Sequence, residues 1–319
     1  MRRGNLKKAK EFSYGEFQEI LDSCDTKDRL DSPGCVPEST EVKDALAKAI
    51  GPEGSLGSQA VLGIDVYRYS ELDPIPQSVL PFVLRLLYSE AYGFSRSGCP
   101  FLFHDSNDEL REHFIDTGDG GFQLLETPVQ ALVFALEFET ILRSFNSYRF
   151  YPGLRSVFRD DITVRYAMTY GTVFAFDRSY YGPGIIDNSR LLGRDRLNRC
   201  LIDQGTLDWF TRNTGGVENL GTIGLKDLQR MPDFKDYDAK LAAHNTPVFP
   251  VTGGLQAANQ WKDVDVLRIG AVSAKERKLQ VYSLHVHFVS VLIDEKDHAK
   301  RQFFTVTLGN LNSAGIADS

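Results

Sequence analysis

Two aspartates, each beside an apolar run that is typical of a β-strand, constrain this chain most. Asp65 follows the apolar run 60–64, and Asp119 lies in a Gly-Asp-Gly-Gly turn between the strand-like segments 112–115 and 122–125. A strand that carries one carboxylate beside a hairpin that carries another can bring both within reach of a pair of divalent cations. The sequence therefore predicts a site for two-metal phosphoryl chemistry.

Composition and charge narrow the possible functions. The chain has 319 residues, of which 42% are apolar, and its formal net charge is −7. That apolar share is sufficient for a packed core, whereas a surface that follows nucleic-acid phosphates normally needs an excess of basic residues. We therefore expect no nucleic-acid partner and a small ligand that brings its own cations.

The cysteines and the hydropathy pattern predict the compartment. The four cysteines are scattered with no C-x-x-C pair, so we expect free thiols in a reducing cytosol and neither a zinc site nor a disulfide framework. The basic N-terminus is not followed by an apolar segment, and no run approaches the roughly 20 apolar residues of a membrane helix. These patterns predict a soluble, cytoplasmic protein with no membrane segment.

The chain divides into a polar lead-in and a main domain. Residues 1–58 contain two short amphipathic patterns, at 14–21 and 42–50, which predict an N-terminal helical arm. We expect this arm to pack on the main domain or on a partner subunit. The main domain is predicted to span residues 59–319, with an insertion around residues 206–265.

Strand and helix patterns alternate through the main domain. An apolar stripe at helical spacing follows Pro74, and Thr127-Pro128 supplies an N-cap and a first helical proline for a second helix. The other predicted elements are strands at 59–64, 101–103, 114–125, 161–170 and 173–176 and a helix at 185–199. The last two strands are predicted to form a hairpin around Gly171. This order predicts an α+β fold whose helices cover one face of a sheet.

Four motifs follow one another along the main domain. They are Asp65-Val66-x-x-Tyr69-Ser70, Gly118-Asp119, the segment 164–173 and the segment 181–191. In this order they resemble the catalytic domain of class III nucleotide cyclases over residues 59–205, with a weaker similarity at 273–278. The resemblance implies a mixed, mainly antiparallel sheet with flanking helices on a ferredoxin-like core.

The resemblance implies a metal site at a dimer interface. Asp65 and Asp119 match the two aspartates that bind a pair of Mn²⁺ or Mg²⁺ ions in that family. The backbone carbonyl of Val66 would complete the coordination shell of one of these ions. Hard cations of this kind prefer carboxylate oxygens. Arg190 matches the arginine that stabilises charge developing on the α-phosphate of a nucleoside triphosphate. Because the family builds each site between head-to-tail subunits, the resemblance implies a homodimer in which Arg190 comes from the other subunit.

Residues beside the first aspartate are candidates for binding the nucleotide. The backbone N–H groups of Tyr69 and Ser70 follow the first strand and could bind the triphosphate. Tyr67 and Arg68 are candidates to read the base, because a guanidinium can donate to a uracil or cytosine carbonyl.

Other nucleotide-binding candidates lie on the arginine helix and near the C-terminus. The family places an Asn four residues before the arginine, where this chain has Ile186. Asn188 stands two residues later, roughly 200° around the helix, and could serve only with a local shift in register. Lys275 and Arg277 belong to the weaker C-terminal match.

Two positions bear on the choice of base. Adenylate cyclases carry a Lys three residues before the Gly of the Gly-Asp motif and an Asp three residues before the Gly that opens the arginine helix, and guanylate cyclases carry Glu and Cys there. This chain has Ile115 and Ser179 at these positions, so neither purine pattern is met. The substitutions resemble the pyrimidine cyclases of the bacterial Pycsar anti-phage systems. The resemblance implies conversion of UTP to cyclic UMP, ahead of CTP to cyclic CMP, with release of pyrophosphate.

Two other interpretations remain open on the sequence alone. One is a purine cyclase with an unusual base pocket. The other is a degenerate cyclase-like domain that binds a nucleotide or a partner without turnover, which Ile186 in place of Asn favours. Retention of both aspartates opposes the degenerate interpretation, because carboxylates held close together repel each other unless cations are present.

Overall fold

Helices account for much of the chain before residue 235. The structure, a computed structural model, describes residues 10–24, 40–51, 56–103, 109–177, 179–195, 197–234, 259–274, 277–293 and 301–310. Within these ranges, no helix combines the length and apolar character needed to cross a membrane. The helices are α1 (Tyr14–Ser23), α2 (Thr40–Ile50), α3 (Pro74–Gly98), α4 (Glu109–Glu112), α5 (Pro128–Asn146), α6 (Pro152–Arg155), α7 (Pro183–Arg194), α8 (Gln204–Thr214) and α9 (Leu225–Gln229).

The strands form a large sheet and a small one. They are β1 (Lys10–Phe12), β2 (Ser58–Val66), β3 (Phe114–Asp116), β4 (Gly120–Leu125), β5 (Val164–Thr172), β6 (Phe174–Phe176), β7 (Ser179–Tyr181), β8 (Cys200–Asp203), β9 (Asn259–Ala274), β10 (Arg277–Ile293) and β11 (Arg301–Leu308). The large sheet has the order β11-β10-β8-β5-β2-β4-β3, and β9 also pairs with β10. Its β5–β8 pair is parallel and its other pairs are antiparallel. The predicted α+β fold with a mixed, mainly antiparallel sheet is confirmed.

A ferredoxin-like unit forms the side of the large sheet that ends at the edge strand β3. Its elements follow the chain as β2, α3, β3, β4, α5 and β5, with the short α4 before β3. In space its strands have the order β5-β2-β4-β3, all antiparallel to their neighbours. Because β2 pairs with β4, the end of β2 lies next to the turn between β3 and β4.

The two central helices begin where the sequence places start signals. Pro74 is the first residue of α3, and Thr127 caps α5. The Thr127 hydroxyl accepts from the Gln130 N–H at 3.4 Å, and the Gln130 side chain accepts from the Thr127 N–H at 2.9 Å. This reciprocal pair satisfies two backbone donors that would otherwise be left without partners at the buried start of α5.

Strand β2 presents two different faces. Alternate side chains of a strand point to opposite sides of a sheet. We call the side that carries Leu62 and Ile64 the helical face, because both pack in the core cluster with α3 and α5. We call the side that carries Gly63 and Asp65 the α7 face, because α7 packs over Gly63 there.

Three predicted elements are wrong in detail. Segment 101–103 is a buried turn after α3 rather than a strand, because its apolar side chains fill the core while the Leu102 N–H bonds back to the Cys99 carbonyl at 3.0 Å. Strands β5 and β6 do not form the predicted hairpin, since β6 pairs with β1 and β7 in the small sheet. The helix predicted to reach residue 199 ends at Arg194, where the extended backbone of Asp195 begins a loop into β8.

The N-terminal arm is tied to the main domain. Both predicted helices are present as α1 and α2, and β1 pairs in parallel with β6. The Tyr14 N–H donates to the Asp177 carboxylate at 3.1 Å, and the Phe12 ring lies edge-on to Phe174 with centroids 6.1 Å apart. The arm therefore extends the small sheet whose last strand leads into α7.

The segment predicted as an insertion is partly built into the core. Its described part contains α8, α9 and the 3₁₀ turns Val217–Thr222 and Pro232–Phe234. Phe210, Leu228 and Phe234 are fully buried in the same cluster as α3 and α5. Residues 235–258 lie outside the described ranges.

Candidate metal and nucleotide site

The fold brings Asp65 and Asp119 to neighbouring backbone positions. Asp65 is the second-last residue of β2. It pairs with Gly120 of β4, the residue that follows Asp119. The Val66 N–H donates to the Asp119 carbonyl at 3.0 Å, which ties the hairpin turn to the end of β2. The predicted strand and hairpin are therefore adjacent in the structure.

Glycines on both sides of Asp119 permit this approach. Gly118 has φ +94°, a conformation that side chains rarely adopt. A Cβ at Gly120 would lie 2.0 Å from the Ile64 carbonyl oxygen and 2.9 Å from the Asp65 Cα. The Gly-Asp-Gly sequence is thus a steric requirement for placing the Asp119 side chain beside Asp65.

Arg165 on β5 forms an ion pair with Asp65. Its Nε donates to Asp65 Oδ2 at 2.8 Å, and its Nη2 donates to the same oxygen. Its Nη1 donates to the Asp195 carbonyl at 2.6 Å. The Asp65 and Arg165 side chains are 19% and 21% exposed. Because both bonds end on Oδ2, Arg165 leaves Oδ1 of Asp65 for another ligand.

The pKa of Asp65 reflects its burial and its charged neighbours. Burial raises the pKa of Asp65, and the nearby Asp119 carboxylate raises it further, while the hydrogen bond and the charge of Arg165 lower it. The effects that raise the pKa outweigh Arg165. A cation between the two aspartates would reverse this balance, because opposite charge favours the ionised carboxylate.

The residues present fit divalent cations that arrive with a phosphate ligand. In the described part of the chain, no group of three or more His, Cys, Asp or Glu side chains could hold a metal ion by itself. Mg²⁺ in particular is usually bound by one or two carboxylates together with water and substrate phosphates. Asp65, Asp119 and the Val66 carbonyl match that incomplete, oxygen-only donor set.

The turn after β2 surrounds one aromatic ring with two guanidinium groups. The Arg68 and Arg165 Cζ atoms lie 5.2 Å and 5.9 Å from the centre of the Tyr67 ring. Arg68 has the left-handed φ of 60° and lies 3.8 Å from Glu71. Tyr67 therefore supports Arg165, and the exposed Arg68 side chain stands at the rim of the site.

The other two candidates of this turn begin a short 3₁₀ helix. Tyr69 and Ser70 are the first residues of the helix Tyr69–Glu71. The Tyr69 hydroxyl donates to the Gln77 carbonyl at 3.2 Å, and this bond joins the turn to the start of α3. The Tyr69 side chain is thus structural, whereas Ser70 is exposed.

Arg190 lies on the outer half of α7. Its Nη1 contacts Asp187 Oδ1 at 3.2 Å, and its side chain is 29% exposed. Ile186, one helical turn earlier on the same side, is 49% exposed. The position at which the resemblance implies an Asn is therefore an exposed apolar side chain beside Arg190.

Asn188 packs between α7 and the large sheet. It is fully buried, and its amide donates to the Val61 carbonyl at 2.7 Å and the Ala167 carbonyl at 3.0 Å. A Cβ at Gly63 would lie 2.1 Å from Asn188 Oδ1. The amide therefore holds α7 to β2 and β5, and a shift in register would break these hydrogen bonds.

The remaining candidates lie at separate places. Ile115 on β3 is half-buried and packs against a small cluster of Val61, Leu124 and Val173. Ser179 is exposed at the start of β7. Arg277 is the first residue of β10, and its backbone is paired with Ala274. Lys275 falls outside the described residues.

Sequence reasoning missed Arg165 as a site residue. Arg165 and Asp65 are direct neighbours in the antiparallel register of β2 and β5. Opposite charges at facing positions of two strands are a recognisable signal. That signal becomes readable only when the register of the two strands is known.

Comparison with known proteins gives structural matches only. No protein-family model and no curated protein sequence matches this chain. Solved structures that match include an adenylate/guanylate cyclase/hydrolase from Silicibacter pomeroyi, at 15% identity and TM-score 0.39, covering 71% of this chain and 95% of that one. The adenylyl cyclase CyaB from P. aeruginosa matches at 12% identity and TM-score 0.39, covering 71% and 93%.

A third match was solved with a nucleotide. It is the guanylate cyclase domain of RhGC from Catenaria anguillulae in complex with GTP, at 12% identity and TM-score 0.38, covering 71% of this chain and 95% of that one. At TM-scores this low, we infer neither activity nor substrate from these matches.

Proposed function

We propose that this protein is a nucleotide cyclase that converts a pyrimidine nucleoside triphosphate to the cyclic monophosphate and pyrophosphate. One observation supports the proposal: the turn that carries Asp119 is hydrogen-bonded to the end of β2 beside Asp65, so that two carboxylates share the single guanidinium of Arg165. A pair of carboxylates that needs cations is the arrangement that phosphoryl chemistry with Mn²⁺ or Mg²⁺ uses. The motif order described above narrows phosphoryl chemistry to cyclisation.

The residues around the pair have distinct tasks in this proposal. Asp65, Asp119 and the Val66 carbonyl would hold two divalent ions, which would acidify the ribose 3′-hydroxyl and neutralise the leaving pyrophosphate. Arg165 fixes the Asp65 carboxylate so that Oδ1 remains available. The turn at Tyr69 and Ser70 lies beside Asp65 and is suited to the triphosphate.

The choice of a pyrimidine rests on what the base positions lack. Ile115 is packed among apolar side chains and has no hydrogen-bonding group in its side chain. A site that is built to read a purine edge needs such groups, because discrimination between bases comes from paired polar contacts. UTP is our first choice and CTP the second, with Arg68 and Tyr67 as the groups nearest the metal aspartates that could contact the base.

Pyrophosphate release tests the reaction and the base together. Purified protein with Mn²⁺ should release pyrophosphate from UTP or CTP, and Asp65→Asn and Asp119→Asn should each lower the rate at least about 100-fold. Asp73→Asn is the matched control, since this exposed carboxylate makes no capping bond at the start of α3. Turnover of ATP or GTP alone would overturn the pyrimidine choice, and nucleotide binding with no product would favour the non-catalytic interpretation.

We further propose a homodimer in which Arg190 acts in the site of the other copy. Its exposure, beside the exposed Ile186, is consistent with a contact between subunits. Mixing inactive Asp65→Asn with inactive Arg190→Ala should restore about a quarter of the wild-type rate, because half of the dimers are mixed and each mixed dimer has one intact site. Failure of the mixture to recover any activity, with exchange of subunits verified by mass, would exclude a shared site.

The cellular role that fits a pyrimidine product is production of a second messenger in bacterial anti-phage defence. This part of the proposal rests on the resemblance of the base positions Ile115 and Ser179 alone. Protection of a bacterial culture from phage by the wild-type gene, and its loss with Asp119→Asn, would support it.

A further inference from the structure

A cavity on the helical side of the sheet has no role in the proposed reaction. Its volume is about 320 Å³, and it lies between α3, α5 and the β3–β4 hairpin. Apolar side chains form most of its wall, chiefly Leu84, Tyr88, Phe114 and Phe138. A volume of this order, with apolar walls and few polar groups, is typical of sites for small molecules.

Two guanidinium groups line the same cavity. Arg85 of α3 and Arg111 of α4 both belong to its lining, together with the single carboxylate of Asp116. The Arg111 guanidinium donates to the Ser89 hydroxyl. The charged groups that line the cavity therefore sum to one positive charge, which favours an anionic ligand with an apolar body.

The anion-binding groups are linked to the turn that carries Asp119. Arg85 Nη2 lies 3.1 Å from Asp116 Oδ2, and the other oxygen of the same carboxylate accepts the Gly118 N–H at 2.8 Å. Gly118 and Gly120 themselves line the cavity. Asp116 thus connects a guanidinium at the cavity to the backbone on one side of Asp119.

We propose that this cavity binds a small apolar carboxylate, and that binding loosens the turn that holds Asp119. The ligand carboxylate replaces Asp116 as the partner of Arg85 and also reaches Arg111, while the apolar body lies against Phe114 and Phe138. Asp116 then loses the contact that orients it toward the Gly118 N–H. As a regulatory site this rests on the proposed function, but the binding and its effect on the turn do not require activity.

Octanoate and its neutral counterpart octanol test the binding. By calorimetry, Arg85→Gln and Arg111→Gln should each weaken octanoate at least about tenfold, since each removes a charge-assisted hydrogen bond, and should leave octanol unchanged. Arg96→Gln is the matched control, because this exposed residue is on α3 and does not line the cavity. Arg85 and Arg111 are both exposed, so the variants at these positions are expected to fold.

Three results would overturn the proposal. Octanoate that fails to bind the wild type, or that binds equally well to the variants at residues 85 and 111, would exclude an anion site. In the second measurement, octanoate should make the Gly118 amide exchange with deuterium several-fold faster, and unchanged exchange at saturation would exclude the link to the turn. Neither measurement uses nucleotide or metal, so a missing cyclase activity would leave both results interpretable.

Discussion

The two faces of β2 use the same strand for different purposes. On the helical face, Leu62 and Ile64 are buried among apolar side chains of α3 and α5. On the α7 face, Gly63 leaves room for a helix, and Asp65 is a carboxylate whose pKa is raised chiefly by burial. We therefore expect substitutions on the helical face to change stability, and substitutions of the aspartates on the other face to change function.

Truncation of the helical core should give the largest loss of stability. Phe134 of α5 is fully buried beside Tyr88. Phe134→Ala should lower the free energy of unfolding by about 4 kcal/mol, through lost burial and the cavity that remains. Urea denaturation measures this free energy. The control is Phe82→Ala, at a side chain that is 57% exposed, which should change the free energy of unfolding by less than about 0.5 kcal/mol. Similar losses for both variants would contradict this division between core and surface.

Adding a methyl group at Gly63, where α7 approaches β2 closely, should give the next largest loss of stability. In Gly63→Ala the new methyl group meets Asn188 and Leu192, so α7 must shift away from β2. We expect a loss of about 2–3 kcal/mol in the free energy of unfolding. Gly93→Ala in α3 is the control, because nothing lies within 4 Å of the new atom, and it should stabilise the helix by about 0.5–1 kcal/mol. A stable Gly63→Ala would show that Asn188 does not fix α7.

The helical face contains one acid whose titration should be visible in stability. Burial raises the pKa of Glu139 to about 7, although the Tyr166 hydroxyl donates to it at 2.9 Å and lowers it somewhat. A raised pKa means that the folded state binds the proton more tightly, so the stabilisation is present below the ordinary pKa and is lost as pH rises through 7.

Glu139→Gln should therefore be more stable than the wild type at pH 8. We expect a gain of about 2 kcal/mol, reduced from the full cost of the pKa shift because Glu139 is only half-buried by surface area. Near pH 4 the two proteins should unfold at the same urea concentration. An equal difference at both pH values would point to a change in packing rather than in charge.

The smallest change in stability is expected at the site itself. Asp65→Asn removes an ion pair with Arg165 but also removes a charge that burial and Asp119 disfavour. These effects oppose each other, so the free energy of unfolding should stay within about 1 kcal/mol while the proposed turnover is lost. A loss as large as that of Phe134→Ala would show that Asp65 is a structural residue.

The sequence predicted the adjacent aspartates because both signals are local. An apolar run before Asp65 and glycines around Asp119 define a strand and a hairpin without reference to distant residues. The ferredoxin-like order followed from the resemblance. The strand, the hairpin and the ferredoxin-like order are confirmed, and the hairpin is hydrogen-bonded to the end of β2.

Non-local pairing could not be read from the sequence. Strand β6 resembles the second half of a hairpin with β5, but it pairs instead with the following β7 and with β1, which lies more than 150 residues earlier in the chain. The partner of Asp65 likewise depends on a register across 100 residues. The burial of Asn188 could not be predicted either, because a position on a helix does not by itself tell which side faces the sheet.

Arg165 connects two places that the chain separates widely. The same guanidinium that binds Asp65 also donates to the backbone carbonyl of Asp195. Asp195 is the first residue after α7. If a cation bound Asp65 as we propose, a movement of that carboxylate would be passed through Arg165 to the end of the helix that carries Arg190. In the proposed dimer that helix serves the opposite site, so occupancy of one site should change the turnover of the other.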